Sequence, residues 1–116
     1  MRVAVITGGA RRIGAAITNM LLDDGWSVII HCNRSVTQAR HLIKRGRGAI
    51  VSGDLSSDEE LFRIIEEIHD HKLVEEAGGI DLLIHNASIY NTEDFATVTP
   101  QELRRFTSIH LDAPFF

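Results

Sequence analysis

Two short stretches concentrate the glycines, cations and donors that could hold a charged ligand. The first, Thr7-Gly8-Gly9-Ala10-Arg11-Arg12-Ile13-Gly14, lies between a β-branched apolar run and a pattern of helical spacing. Gly8 can take a tight turn there and Gly14 lets a helix pack close to a sheet, while the helix N-terminus offers unpaired N–H groups and partial positive charge to a pyrophosphate. The competing reading is a plain strand-to-helix connection, and the strand–turn–helix context favours a nucleotide. The second stretch is His31-Cys32-Asn33-Arg34-Ser35. It holds no carboxylate to accept hydrogen bonds from ribose hydroxyls. Neutral Asn33, cationic Arg34 and the donor Ser35 suit a ribose 2′-phosphate, and a solvated loop arginine is the bland alternative.

Other candidates are weaker. Asp54 in Gly53-Asp54-Leu55-Ser56 reads equally as a turn aspartate bonding its own backbone. Tyr90, in His85-Asn86-Ala87-Ser88-Ile89-Tyr90, is by itself more readily a packing residue than a binding platform. His69-Asp70-His71 looks like a metal cluster but fails on geometry, because helix neighbours two apart face away from each other. No metal is expected, and those histidines read as solvated residues near a helix end.

The elements that must position these residues follow from periodicity. Val3–Ile6, Ser27–Cys32, Ala49–Ser52 and Asp81–His85 read as buried strands. Ile13, Ala16, Ile17, Met20 and Leu21 recur at helical spacing up to Asp23-Asp24-Gly25, and a second helix runs from about Val36 to Arg45, closed by Gly46. Ser57-Asp58-Glu59-Glu60 matches a capping box ahead of Leu61, Ile64, Ile65 and Ile68. Thr99-Pro100-Gln101-Glu102 is another, with proline at the first helical position. Strands alternating with helices predict an α/β, Rossmann-like doubly wound parallel sheet in order 3-2-1-4. The fourth strand is expected to be an uncovered edge, and that edge with the apolar end Ala113-Pro114-Phe115-Phe116 suggests a homo-oligomer.

The 116 residues are enough for one domain, and 44% hydrophobic with 24% charged residues is a globular balance. A net charge of -4 without a basic run makes nucleic acid an unlikely partner on this reading. A single cysteine excludes an intrachain disulfide and fits a reducing, cytoplasmic setting. No segment approaches the roughly 18 apolar residues of a membrane span.

The first turn resembles that of the short-chain dehydrogenase/reductase family, Thr-Gly-x-x-x-Gly-x-Gly, with Arg12 where the pattern has its middle glycine. Thr-Gly-x-x-Arg-Arg-Ile-Gly, Asn-Arg-Ser after strand 2, and Asn-Ala-Ser followed two positions later by an aromatic are similar to the pteridine reductase branch, which includes dihydromonapterin and alternative dihydrofolate reductases. The resemblance implies an NADP(H)-binding domain over residues 1–116. Gly8, Arg11, Arg12, Ile13, Gly14, Asn33, Arg34, Ser35, Asp54, Leu55, Asn86, Ala87 and Ser88 would bind the cofactor, with Arg12 beside the pyrophosphate and Asp54 and Leu55 at the adenine. Ser88 and Tyr90 would contact a small-molecule pterin or folate, Tyr90 by stacking. His110 replaces a catalytic-site asparagine of the wider family.

The family's tyrosine acid, with a lysine four residues later, is absent: the chain has Tyr90, Lys44 and Lys72 only. No catalytic residue is expected here, and the chain corresponds to the first half of a family member of roughly 250 residues. Two rivals to a pterin reductase follow. One is another NADP-linked short-chain carbonyl or oxoacyl reductase; the other is a non-catalytic nucleotide-binding or oligomerising fragment.

Overall fold

The computed structural model describes residues 1–44, 46–90 and 94–116. In chain order the elements are β1 (Val3–Ile6), α1 (Arg12–Asp23), β2 (Ser27–Cys32), α2 (Val36–Ile43), β3 (Gly48–Ser52), α3 (Asp58–His69), α4 (Lys72–Ala77), β4 (Leu82–Ile84) and α5 (Pro100–Thr107). A π-helical turn, Ser108–Asp112, carries α5 into the short α6, Ala113–Phe115. The strands form one sheet in the order β3-β2-β1-β4, as the alternation of elements predicts. All pairings are parallel, with Val5 opposite Ile29 on one side and Leu83 on the other.

β1 and β2 are apolar at nearly every position because both of their faces are covered. Val3, Val5 and Ile29 point into a cluster with Leu61 and Ile64 of α3 and Leu73 and Val74 of α4. Ile6, Val28 and Ile30 point the other way, into a cluster with Leu22 of α1 and Ala39 of α2. Each such side chain stabilises the fold by about 1.5–3 kcal/mol through burial.

The structure corrects several local expectations. The buried stripe of α1 is Gly14, Thr18 and Leu22, flanked by half-buried Ile17 and Leu21, and Ile13, Ala16 and Met20 face outward. The stripe is rotated because the buried Thr18 hydroxyl donates to the Gly9 carbonyl at 2.9 Å, a contact that hydropathy does not register. α2 closes at Ile43; Arg45 lies outside the described residues. Only half of the Ser57 capping box forms. Ser57 Oγ accepts from the Glu60 N–H, but the Glu60 carboxylate takes the Asp54 N–H at 3.2 Å in place of reaching back. At Thr99 the expected cap is present, with its hydroxyl accepting from the Glu102 N–H at 3.2 Å.

Two further features were not foreseen, and a third was foreseen in part. His71 is the N-cap of α4, its Nδ1 accepting from the Leu73 N–H at 3.1 Å. β4 is the uncovered edge that the strand order predicts, and with Leu83 52% exposed it is not the buried strand that its apolar run suggests. The π-helical turn at the end of α5 is also new. Among the described residues no helix is long and apolar enough to cross a membrane.

Candidate functional site

Parallel pairing brings the carboxyl ends of all four strands to one edge of the sheet, and strand order reverses between β1 and β4. Ligands of open α/β sheets bind at such an edge. The first turn is held there by a dense set of hydrogen bonds. The Thr7 N–H donates to the Ile84 carbonyl, and the Thr7 hydroxyl accepts from the N–H groups of both Asn86 and Ala87 at 3.0 Å each. The Asn86 side-chain amide donates to the Gly8 carbonyl at 2.9 Å, so its visible work is to tie the β4 loop to the first turn. Thr7 is a site residue that sequence reasoning passed over. A hydroxyl at the end of an apolar strand was its only signal.

Gly8 has φ +62°, the left-handed region that favours glycine. Gly14 is required by closeness: a Cβ there would lie 2.0 Å from the Gly8 carbonyl oxygen. α1 can therefore begin directly behind the turn. Arg11 occupies its N-cap in an extended conformation without a side-chain cap bond, and no acidic residue stands in the first helical turn. The start of α1 thus keeps the unpaired N–H groups and partial positive charge that suit a phosphate. The N–H groups of Gly8 and Gly9 are not among those donors, because they turn inward to His31. Arg12 takes φ +52°, the one positive φ outside glycine among the described residues. An arginine has replaced the pattern's middle glycine while the backbone keeps the glycine-like conformation, at a steric cost of about 1–2 kcal/mol.

At the end of β2, Asn33, Arg34 and Ser35 join Gly8, Ala10, Arg11 and Cys32 around a cleft of about 260 Å³. Among the described residues no carboxylate lines it. Arg11, not Arg12, is the first-turn cation on this cleft. The nucleotide residues expected from two separate stretches are thus brought together, and they fit a dinucleotide bearing a ribose phosphate.

Beyond β3, Asp54 Oδ1 accepts from the Ser56 N–H at 2.9 Å and the Ser56 hydroxyl at 2.7 Å, the turn arrangement expected as one of two readings. Those bonds from Ser56, first of all its hydroxyl, hold the Asp54 carboxyl below the usual range, helped by the positive fields of Arg105 and Arg34. Arg105 reaches this neighbourhood from α5, far along the chain, and nothing in the sequence pointed to it. Leu55 is buried in the α3-side core.

After β4, Ser88 is exposed and Tyr90 is 83% exposed, so Tyr90 is not a packing residue in this chain. Between them Ile89 lies against His110, whose Nε2 is 3.4 Å from the Ile89 nitrogen and 3.3 Å from its oxygen. The imidazole of His110 stacks on Phe106. It stands in the π-helical turn, a feature that often marks functional sites. No group of three metal-ligating side chains occurs among the described residues.

The sequence pattern of the short chain dehydrogenase family matches residues 2–116. The chain belongs to the short-chain dehydrogenase family. It is similar to a dihydromonapterin reductase of Enterobacter sp. (strain 638), 30% identical over 98% of this chain and 45% of that protein. It is as similar to a 3alpha-hydroxysteroid dehydrogenase of Mediterraneibacter gnavus, 30% identical over 98% of this chain and 46% of the other. Among solved structures, the FolM alternative dihydrofolate reductase 1 of Brucella suis in complex with NADP superposes with a TM-score of 0.80 at 31% identity, covering 98% of this chain and 47% of its own. The chain spans about half the length of the short-chain dehydrogenases it matches. That family is oxidoreductase in character, and the chain's fold is that of its amino-terminal half.

Proposed function

We propose that residues 1–116 form the NADP(H)-binding portion of a cytoplasmic short-chain reductase that reduces a dihydropterin or dihydrofolate. The observation that carries this reading is the cleft where Asn33, Arg34, Ser35 and Arg11 meet without a carboxylate among the described residues. Two guanidinium groups beside a ribose 2′-phosphate make charge-assisted, bidentate hydrogen bonds, which an unphosphorylated ribose cannot receive. Gly8, Arg12, Ile13 and Gly14 shape and charge the pyrophosphate end, Asp54 stands at the adenine on a turn anchored in the core by Leu55, and Asn86, Ala87 and Ser88 line the path toward the reactive ring. NADPH, when bound, supplies a hydride. The residues of this chain bind and orient, and Ser88 with the open ring of Tyr90 receives the substrate. No tyrosine here has a lysine four positions later, so residues 1–116 do not supply the family's tyrosine–lysine proton donor.

Titration calorimetry on this chain tests the reading. NADPH should bind at least about tenfold more tightly than NADH, a difference of about 1.4 kcal/mol. Equal affinities would remove the role of Arg34, and oxidation of NADPH with a dihydropterin by these residues alone would contradict the division of labour.

Two observations favour other readings. An acetoacetyl-CoA reductase of Allochromatium vinosum is 28% identical over 98% of this chain, close to the pterin-reductase figure, which supports a carbonyl or oxoacyl reductase. Arg12, Ser88 and Tyr90 support the pterin assignment against it, and substrate profiling of a protein of the relatives' length separates the two. The missing tyrosine–lysine pair supports a non-catalytic nucleotide-binding module. The edge position of β4 and the exposed Leu83, Phe115 and Phe116 support homo-oligomerisation, which sedimentation tests directly.

A further inference from the structure

His31 is a buried polar side chain in a strand that is otherwise apolar apart from Ser27 at its start, and nothing in the proposed chemistry uses it. It is 3% exposed, and both of its ring nitrogens are engaged. Nδ1 is 3.1 Å from the Gly8 nitrogen, and Nε2 is 2.9 Å from the Gly53 oxygen. These two partners fix the tautomer. A backbone N–H can only donate, so Nδ1 must carry a lone pair; a carbonyl can only accept, so Nε2 must carry the proton. The ring is therefore neutral and spans two turns that the chain separates widely. Gly8 opens the first turn, and Gly53 precedes Asp54 at the end of β3. The main chain reinforces the tie, since the Gly9 N–H donates to the His31 carbonyl at 3.0 Å and the Gly53 N–H to the Cys32 carbonyl at 3.0 Å.

We propose that His31 is a positioning residue, a tautomer-locked strut that sets the first turn and the β3 turn as one unit at the edge of the nucleotide cleft, and does so only while its ring is neutral. The inference rests on the nucleotide-binding reading of that cleft. A second proton can enter only at Nδ1, where it would face the Gly8 N–H donor to donor, and the turn carrying Gly8 would have to move. Gly8 lines the cleft with Arg11, and its carbonyl receives Asn86, so the movement reaches the ligand side and the β4 loop together.

The charged surroundings bear on when this happens. Burial holds the His31 pKa below the ordinary histidine value, opposed by its bond to the Gly53 carbonyl and by the Asp54 carboxylate. Asp54 in turn feels Arg34 and Arg105. On the neighbouring elements, α3 supplies Glu60, which takes the Asp54 N–H, and Arg63, which donates to the Ser52 carbonyl at 2.8 Å. Cys32, next along β2, points into the opposite core, where burial raises its pKa and keeps it a thiol. With the folded pKa depressed, the unfolded chain binds the proton more readily. The contribution to stability is then full above the unfolded value of about 6.5 and is lost as pH falls from there toward the folded pKa. The geometry of the cleft itself changes only as the folded ring takes its proton, lower still.

The test uses NADP⁺, which tolerates acid, with this chain and two variants. His31→Gln supplies an amide oxygen and an amide N–H at about the spacing of the two ring nitrogens and does not titrate; His31→Ala removes the strut. At about pH 7.5, Gln should bind NADP⁺ within about threefold of the wild type and Ala about tenfold more weakly, because Ala leaves the half-buried Gly8 N–H without its acceptor. As pH falls through the folded His31 pKa that histidine spectra report, the affinity of the wild type relative to Gln should decline, and titration of the nucleotide's own phosphate cancels in that ratio. A flat ratio, or an Ala variant that binds as the wild type does, overturns the coupling. Nitrogen-15 histidine spectra of the ligand-free chain form the second arm, independent of variants and of nucleotide. A protonated Nε2, an unprotonated Nδ1 and a pKa below the ordinary value support the strut, and an Nδ1–H tautomer or an ordinary pKa overturns it. If the spectra fit and no nucleotide binds at any pH, the nucleotide reading fails while the strut stands as a fold device.

Discussion

The two halves of the sheet edge are built differently. Around β1, β2 and β3 the ends of the backbone are closed within the chain: Gly8 by His31 and Asn86, Gly9 by Thr18, Asp54 by Glu60, and Ser56 by the Asp54 carboxylate. β1 and β2 beneath are completely buried, and β3 is half-buried except at Val51. Around β4 and α5 the reverse holds. Leu83, Tyr90, Leu103, Phe115 and Phe116 are exposed, and α5 buries no residue. The difference teaches where each kind of order comes from. Turn geometry at the nucleotide side is over-determined by short polar contacts, each worth about 0.5–1.5 kcal/mol net. The β4–α5 side would be ordered mainly by apolar cover, at about 25 cal/mol per Å² of surface removed from water, and among the described residues that cover is incomplete.

Substitutions on the closed side should therefore act strongly and specifically. The largest effect is expected from Gly14→Ala, whose Cβ would meet the Gly8 carbonyl at 2.0 Å, backbone against backbone. α1 or the turn must shift, and overpacking of this kind costs about 1–3 kcal/mol or more. Thermal denaturation and NADPH titration should both deteriorate, and a variant with wild-type melting and affinity would show that the turn is not over-determined. Arg34→Asp comes next and separates binding from folding. Replacing a cation by an anion beside a phosphate should cost on the order of 2–3 kcal/mol of NADPH affinity, move preference toward NADH, and leave the melting temperature nearly unchanged.

Arg12→Gly sharpens the contrast through its sign. Relieving φ +52° should raise stability by up to about 1 kcal/mol, offset in part by the freer unfolded chain. If the guanidinium also contacts the pyrophosphate, NADPH affinity falls while melting temperature rises; a fall in both would mean that Arg12 packs. On the open side, Tyr90→Ala is expected to change folding stability by no more than about 0.5 kcal/mol, as for other exposed positions. In a protein of the relatives' length it should weaken pterin binding about tenfold, through lost stacking and ring area, and Tyr90→Phe should be nearly silent. A large stability loss from Tyr90→Ala would erase the distinction between the two sides.

Much of this arrangement was legible in the residues. Continuous β-branched runs identified β1 and β2, and strand–helix alternation predicted the order β3-β2-β1-β4 that the structure has. The glycine turn and Asn33-Arg34-Ser35 were both visible as candidates, and the structure puts them on one cleft. Periodicity was less reliable where a polar group is buried for a reason. Thr18 displaced the stripe of α1, and Glu60 left its capping box for the Asp54 N–H. α4 was missed because Lys72–Ala77 is too short for helical spacing to stand out. Leu83 reads as buried in an apolar run, yet its exposure depends on what lies beside β4.

By itself the sequence determined the four strands and the longer helices, which residues could meet a phosphate, and that no acid stands at the end of β2. These are local properties, since side-chain direction repeats every two or about 3.6 residues and a turn needs its glycine in place. Only the tertiary structure decided the partners of the site residues: Gly8 with His31 across 23 positions, Gly8 with Asn86 across 78, and His31 with Gly53 across 22. Parallel register brings the carboxyl ends of distant strands within hydrogen-bonding distance, and a buried N–H or carbonyl must then find whichever partner that register supplies.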